Sequence, residues 1–185
     1  MSNKNLNIIL LCAGKSSRLK FNLPKVILPI NGRTLIERSL ENLDKLNPKK
    51  TIIVTGFRDD LVTNLVKTFH YKNIEFVSQK TQLGTGHAVK RAIGSLDKSS
   101  TVLILNGDTP FVDIDTIKKS ISFHSKNKSV FTIATSFPKD PKGYGRILRD
   151  NDNQILDIVE ERDCSSEQKL IKEVNAGLYL VDSAL

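Results

Sequence analysis

Residues 7–30, NIILLCAGKSSRLKFNLPKVILPI, constrain this chain more than any other stretch. Residues 8–11 are an apolar run of the length expected for a strand buried on both faces. Small residues follow, Cys12-Ala13-Gly14-Lys15-Ser16-Ser17, and then two cations, Arg18 and, past Pro24, Lys25. Small side chains let backbone N–H groups approach an anion, while Arg and Lys neutralise it from the sides. The stretch therefore reads as a strand opening into a phosphate cradle. A basic turn of small residues between strand and helix is the plainer alternative, and local features do not separate the two. Two common phosphate motifs fail here. A P-loop would need glycine where Ile9 stands, and a dinucleotide fingerprint needs more glycines than Gly14.

Beyond this stretch the apolar pattern alternates between two periods. Residues 51–55, 74–77 and 102–105 are further short apolar runs. Between them, Leu35, Ile36, Leu40 and Leu43 recur at helical spacing behind Thr34 and Glu37, which stand in capping-box register. Leu61, Val62, Leu65, Val66 and Phe69 form a second stripe, with Asp59 or Asp60 as its cap. A third helix is expected after Thr85 as N-cap, running to about Leu96, and a fourth around Ile114, Ile117 and Ile121. Residues 130–135 predict another strand. Strands alternating with helices imply an α/β fold, a Rossmann-like, mostly parallel sheet with helices on both faces. Such sheets bind ligands at the carboxyl ends of their strands, so the loops after Leu11, Val77 and Leu105 should share one face. From Pro138 the pattern changes. Residues 143–148 and 154–159 predict an added β-hairpin around a turn at 150–153, and residues 174–181 a last strand.

With 185 residues, 39% hydrophobic and 26% charged, the chain can bury the core of one soluble α/β domain. Its net charge of +8 raises nucleic acid as a partner. The cations are scattered, however, with no aromatic-rich basic stripe, so nucleic acid is not expected. The N-terminal apolar run is too short for a signal peptide or a membrane span, which predicts a cytoplasmic protein. Cys12 and Cys164 give neither a zinc spacing nor a disulfide framework.

Three further groups carry candidate chemistry. Asp108 follows an apolar strand directly and lies on the expected ligand face, where an exposed carboxylate can hold a hard cation such as Mg²⁺. A turn Asp capping the next segment is the alternative. Gln79 offers a donor and an acceptor on one amide, which suits the edge of a pyrimidine base. Gly84 and Gly86 permit a tight loop whose backbone can approach a base or ribose. His87 opens the following helix and is given no catalytic role.

The strand, then A-G-x-x-x-R, then Pro-Lys before apolar residues, resembles the signature of the sugar-phosphate nucleotidyltransferases. QLGTGHA, a strand ending in Gly-Asp, then GYGR, IVE and N-x-G, resemble more narrowly the uridylyltransferase domain of N-acetylglucosamine-1-phosphate uridylyltransferases. The resemblance runs in order from Ile8 to the C-terminus. It implies the nucleotide-diphospho-sugar transferase fold and the condensation of UTP with N-acetyl-α-D-glucosamine 1-phosphate. The products are UDP-N-acetylglucosamine, for peptidoglycan and lipopolysaccharide synthesis, and pyrophosphate. Leu11, Cys12, Ala13 and Gly14 would wrap the triphosphate, with Arg18 and Lys25 as the catalytic cations on its phosphates. Gln79, Gly84 and Thr85 would bind uridine. Asn106, Gly107 and Asp108 would reach ribose, phosphate and Mg²⁺, with Asp108 as metal ligand. Gly145, Glu160 and Asn175 would hold the amino sugar. A related enzyme with another nucleotide or sugar, or a non-catalytic nucleotide-binding fragment, is the alternative.

This sequence departs from the family pattern at a few positions. Cys12 replaces a usual Ala, Ser16-Ser17 a usual Gly-Thr, and Asn106 a frequent Tyr. The family's second metal ligand, an Asn, and its C-terminal β-helix acetyltransferase domain have no counterpart here. The chain is thus expected to be a single nucleotidyltransferase domain over residues 1–185, truncated at its C-terminus. Its oligomeric state stays open, since the family's full-length members are trimeric through that β-helix.

Overall fold

The computed structural model describes residues 5–15 and 22–184. They fall into two compact units, residues 1–132 with 180–185, and residues 133–179.

In the first unit, β1 (Leu6–Leu11), β4 (Lys50–Thr55), β5 (Ile74–Ser78) and β6 (Thr101–Asn106) form parallel pairs in the order β5-β4-β1-β6. Ile8, Ile9, Leu10, Ile52, Ile53, Val54 and Leu103 are fully buried. Side chains alternate across a strand, so burial of consecutive residues means that both faces of the sheet are covered. Right-handed crossovers explain how. The connections β1→β4 and β4→β5 run one way along the sheet and β5→β6 runs back, so their helices lie on opposite faces. α1 (Leu35–Asp44) and α2 (Asp59–Lys67) make the outward crossovers, and α3 (Thr85–Ala92) makes the return. α4 (Ile114–Lys126) follows β6 and buries Ile117.

α1 begins as the sequence predicts. Glu37 N donates to Thr34 Oγ1 at 3.3 Å and Thr34 N to Glu37 Oε2 at 3.4 Å, closing the capping box. Leu35, Ile36, Leu40 and Leu43 are its buried stripe. Just before it comes an element the periodicity does not reveal. β2 (Pro29–Ile30) pairs antiparallel with β3 (Arg33–Thr34) around Asn31 and Gly32, both at positive φ. Asn-Gly is the usual chemistry of a two-residue hairpin turn, but strands of two residues are too short to show alternation.

The caps of the next two helices differ from expectation. Arg58, at φ 49°, occupies the N-cap of α2, so Asp59 and Asp60 stand inside its first turn, where they suit the helix dipole. Gly84, at φ 95°, takes the N-cap of α3, and Thr85 is the first helical residue. α3 also stops at Ala92 rather than near Leu96. It continues as a 3₁₀ turn, Ile93–Ser95, that contains the poor helix former Gly94.

The second unit holds most of β7 (Phe131–Ser136) and β10 (Val174–Asp182), with β8 (Arg146–Arg149) and β9 (Ile155–Val159). β8 pairs antiparallel with both β9 and β10, and β7 also pairs with β10. The predicted hairpin is present, and Asp150 Oδ1 ties its turn by accepting from Asp152 N and Gln154 N at 3.0 and 2.8 Å. The strand starts at Arg146, not at 143, because Gly143 at φ 87° belongs to a turn. Among the described residues no helix is long and apolar enough to cross a membrane.

Candidate active site

Strand register brings the chemistry together. Leu11 stands opposite Val54 on one side and Asn106 on the other, and Thr55 opposite Ser78. Backbone bonds carry the alignment one residue further: Cys12 N to Val54 O at 2.8 Å, Gly107 N to Leu11 O at 2.9 Å, Gln79 N to Thr55 O at 2.7 Å. The sheet order reverses between β1 and β6, the place where open α/β sheets form a ligand crevice. A cleft of about 310 Å³ opens there. The first loop lines it with Leu11, Cys12, Ala13 and Gly14, and Lys25 faces them. Gln79, Gly84 and Thr85 contribute from the segment before α3, and Asn106 and Asp108 from the end of β6. Another hollow, of about 360 Å³, lies at the opposite strand ends beside Thr51 and Ile74 and contains none of the expected residues.

Each wall has a local cause. Gly107 is buried because nothing larger fits: a Cβ there would run into Cys12 Sγ and stand 3.1 Å from Leu11 O and 3.3 Å from Val26 Cγ1. The Asp108 turn is pinned by Thr109 Oγ1, which donates to Asn106 O at 2.8 Å. Pro24, with φ −58°, leads into a 3₁₀ turn, Lys25–Ile27, that presents Lys25. Arg38 of α1 steadies the ribbon after that turn, donating to Ile30 O at 2.8 Å and stacking over Phe111, beyond Asp108.

The sequence assigned Lys25 to phosphate and Asp108 to metal as separate roles. In the structure they are partners, with Lys25 Nζ 2.8 Å from Asp108 Oδ2 and both side chains partly open. Burial pushes the Cys12 thiol far above its usual range, and the nearby Asp108 carboxylate adds to the shift. Cys12 is therefore a packed thiol, not a nucleophile.

Gln79 is more occupied than expected. It is 3% exposed, and its Nε2 lies 3.1 Å from Gly84 O and 2.9 Å from His87 Nδ1. The donor half of the amide is spent inside the loop. Gln82, the first residue of QLGTGHA but given no role by the sequence, donates to Ala13 O at 2.7 Å and ties this loop to the first one. Both Gln82 and His87 stand in QLGTGHA, but which partner each side chain finds is not written in apolar periodicity. Arg18 lies outside the described residues.

Gly145, Glu160 and Asn175 belong to the second unit and meet there. Gly145 O accepts from Asn175 N at 2.9 Å, and a Cβ on Gly145 would stand 3.6 Å from Glu160 Oε1. The Asn175 side chain accepts from Gly177 N at 2.9 Å and donates to Tyr179 Oη at 2.6 Å. Behind them lies an ion pair the sequence did not flag. Arg146, 2% exposed, sits 2.7 Å from Glu161. Desolvation would raise the Glu161 carboxyl, but the Gly143 N–H and Arg146 outweigh it and hold it below the usual range.

Known proteins share the sequence and the fold. Curated relatives named bifunctional protein GlmU match nearly the whole chain. The one from Gloeothece citriformis is 42% identical over 173 residues, covering 93% of this chain and 38% of that protein. Those from Streptococcus mutans and Thermoanaerobacter pseudethanolicus are 39% and 37% identical, covering 95% and 98% of this chain and 38% and 39% of theirs. The chain thus spans about two fifths of the length of these relatives. Two crystal structures share the fold. UDP-glucose pyrophosphorylase complexed with UDP-glucose superposes with a TM-score of 0.80 at 18% identity, over 96% of this chain and 76% of that one. HddC from Yersinia pseudotuberculosis gives 0.72 at 24% identity with the same coverage. The MobA-like NTP transferase domain profile matches residues 8–165, from the strand that begins the cleft past the hairpin of the second unit. The chain belongs to the family of MobA-like NTP transferase domains.

Proposed function

We propose that this chain transfers a uridylyl group from UTP to N-acetyl-α-D-glucosamine 1-phosphate, giving UDP-N-acetylglucosamine and pyrophosphate. The observation that carries the reading is the Lys25–Asp108 pair in the crevice between β1 and β6, lined by the small residues Cys12, Ala13 and Gly14. A cation and a carboxylate on a strand-end cleft suit phosphoryl chemistry, which asks the protein chiefly for positioning and charge neutralisation. The GlmU relatives at 37–42% identity support the choice of nucleotide and sugar.

The sugar phosphate oxygen attacks the α-phosphorus in line, and the bond to the β-phosphate bridging oxygen breaks as pyrophosphate leaves. Lys25 would stabilise charge on the phosphate oxygens. The N–H groups of Ala13 and Gly14, which have no acceptor among the described residues, would meet the same anion. Arg18 would add a second cation. Gln79, Gly84 and Thr85 would take the base, Asn106 and Gly107 the ribose and phosphate, and Gly145, Glu160 and Asn175 the amino sugar.

The donor set fits a Mg²⁺ ion held mainly by substrate. Among the described residues no cluster of three or more His, Cys, Asp or Glu could hold a metal, and Asp108 is the carboxylate lining the cleft. Mg²⁺ commonly uses one or two carboxylates together with substrate phosphates. Asp108 would hold it, and the ion would supply charge neutralisation to the triphosphate. Nucleoside triphosphates are substrates of the cell interior, and we place the activity in the cytoplasm.

Pyrophosphate release from UTP and N-acetylglucosamine 1-phosphate with Mg²⁺ tests the reading, run beside CTP, dTTP and glucose 1-phosphate. Activity confined to the first pair is expected. A preference for another nucleotide or sugar would reassign the substrate within the same chemistry. Nucleotide binding with no release from any pair would leave a binding fragment.

A further inference from the structure

His87, the third residue of α3, is not among the residues lining the cleft but lies against Gln79, which is. A backbone carbonyl accepts hydrogen bonds and cannot donate. The amide atom 3.1 Å from Gly84 O must therefore be the NH₂ group of Gln79. The same nitrogen lies 2.9 Å from His87 Nδ1, so this ring nitrogen must accept, and the ring proton sits on Nε2. Both N–H groups of the amide are then used inside the protein. Among the described residues nothing donates to Gln79 Oε1, and Gln79 lines the cleft. What it presents to a ligand is an acceptor.

We propose that His87 is a positioning residue that sets the orientation of the Gln79 amide and so selects bases carrying an N–H donor at pyrimidine N3. This rests on the reading above that the base sits against Gln79. Uracil and thymine have that donor. Cytosine has a lone pair there, which would face Oε1 lone pair to lone pair. Flipping the amide would offer NH₂ to cytosine, but it would turn Oε1 toward Gly84 O and would require the ring proton of His87 to move from Nε2 to Nδ1. One repulsive contact and a change of tautomer replace two bonds, and a buried amide has no water to make good the loss. Gly84 opposes the flip through its backbone and His87 through its side chain, so substitution can remove the second alone.

The test compares UTP and CTP dissociation constants, measured by calorimetry without the sugar phosphate, for the unmodified chain and three variants. His87→Phe removes the acceptor while filling the space. Its UTP-over-CTP preference should fall about three- to tenfold, the scale of one buried hydrogen bond. His87→Asn places Oδ1 as many bonds from the backbone as Nδ1 and should keep most of the preference. The ratio within one variant does not depend on the fraction folded, so a merely structural role for His87 would leave it unmoved. Gln79→Ala should abolish the preference. An unchanged ratio in His87→Phe with a collapsed one in Gln79→Ala overturns the role of His87 and leaves the base site standing. An unchanged ratio in Gln79→Ala removes the base site itself. A measurement on the unmodified chain needs no variant to fold: ¹⁵N shifts of His87 should report a ring proton on Nε2 and none on Nδ1. Finding the proton on Nδ1 would overturn the proposal.

Discussion

Lys25 and Asp108, 83 residues apart in sequence, meet at 2.8 Å across the mouth of the cleft. Their side chains are 42% and 35% exposed, so the pair is screened and worth at most about 1 kcal/mol to the fold. Its value lies in placing a cation and an anion where a triphosphate would arrive. Lys25→Ala should therefore lower pyrophosphate release by about 10²–10³-fold, as loss of a charge-stabilising donor typically does. Its urea midpoint should hardly move. Near-normal turnover in the folded variant would take Lys25 out of the site.

The floor of the cleft is set by a fit between Gly107 and Cys12. Gly107→Ala would press a methyl group on Cys12 Sγ, and overpacking of this kind costs about 1–3 kcal/mol. Adding Cys12→Ala, the residue usual at that position, should recover part of the loss, although Leu11 O stays close. A double-mutant cycle in urea checks the coupling. Strictly additive effects would mean that the strain is relieved elsewhere.

In the second unit, Arg146 and Glu161 brace the turn that carries Gly145. Arg146 also donates to Tyr144 O. Arg146→Met should lower the urea midpoint, because it removes a buried cation from the turn and leaves Glu161 without its partner. Adding Glu161→Gln should soften the loss. If Gly145 and Glu160 hold the sugar, the folded single variant should raise KM for the sugar phosphate more than for UTP. Equal changes in both would detach this turn from sugar binding.

His124 gives the fold a pH dependence above the carboxylate range. It is 4% exposed, with Nδ1 2.8 Å from Thr132 Oγ1. Burial lowers its pKa from the usual 6.5, only partly offset by Asp182. The unfolded chain then takes up the proton first, so stability is full above 6.5 and declines as pH falls toward the folded value. Asp97 and Glu173, held low by Lys49 and Arg149, add their losses only below their usual 3.8 and 4.5. The melting temperature should therefore fall as pH drops below 6.5, and His124→Asn should flatten that slope. An equally steep slope in the variant would assign it to another group.

The sequence by itself determined the elements and the face on which the chemistry gathers. Apolar runs of four to six residues, as in residues 8–11 and 102–105, can satisfy their backbone and bury their side chains in few ways other than a parallel strand. The capping box at Thr34 and Glu37 is local chemistry and reads directly. Topology then follows from alternation, and with it the common edge where Cys12, Gln79 and Asp108 end their strands. Strands of two residues and caps set by a positive φ at Arg58 or Gly84 carry no period, and those the sequence did not reveal.

Tertiary structure alone decided what each site atom is free to do. The sequence placed Lys25, Asp108 and Gln79 on the cleft but treated each as unengaged. Whether a cation finds a carboxylate 83 residues away, or which end of an amide faces inward, depends on distances of an ångström between separate loops. Those distances come from strand register and from packing as tight as Gly107 on Cys12, which no local pattern encodes. The same residue type can thus offer a donor or an acceptor according to its neighbours, and at Gln79 those neighbours are Gly84 O and His87 Nδ1.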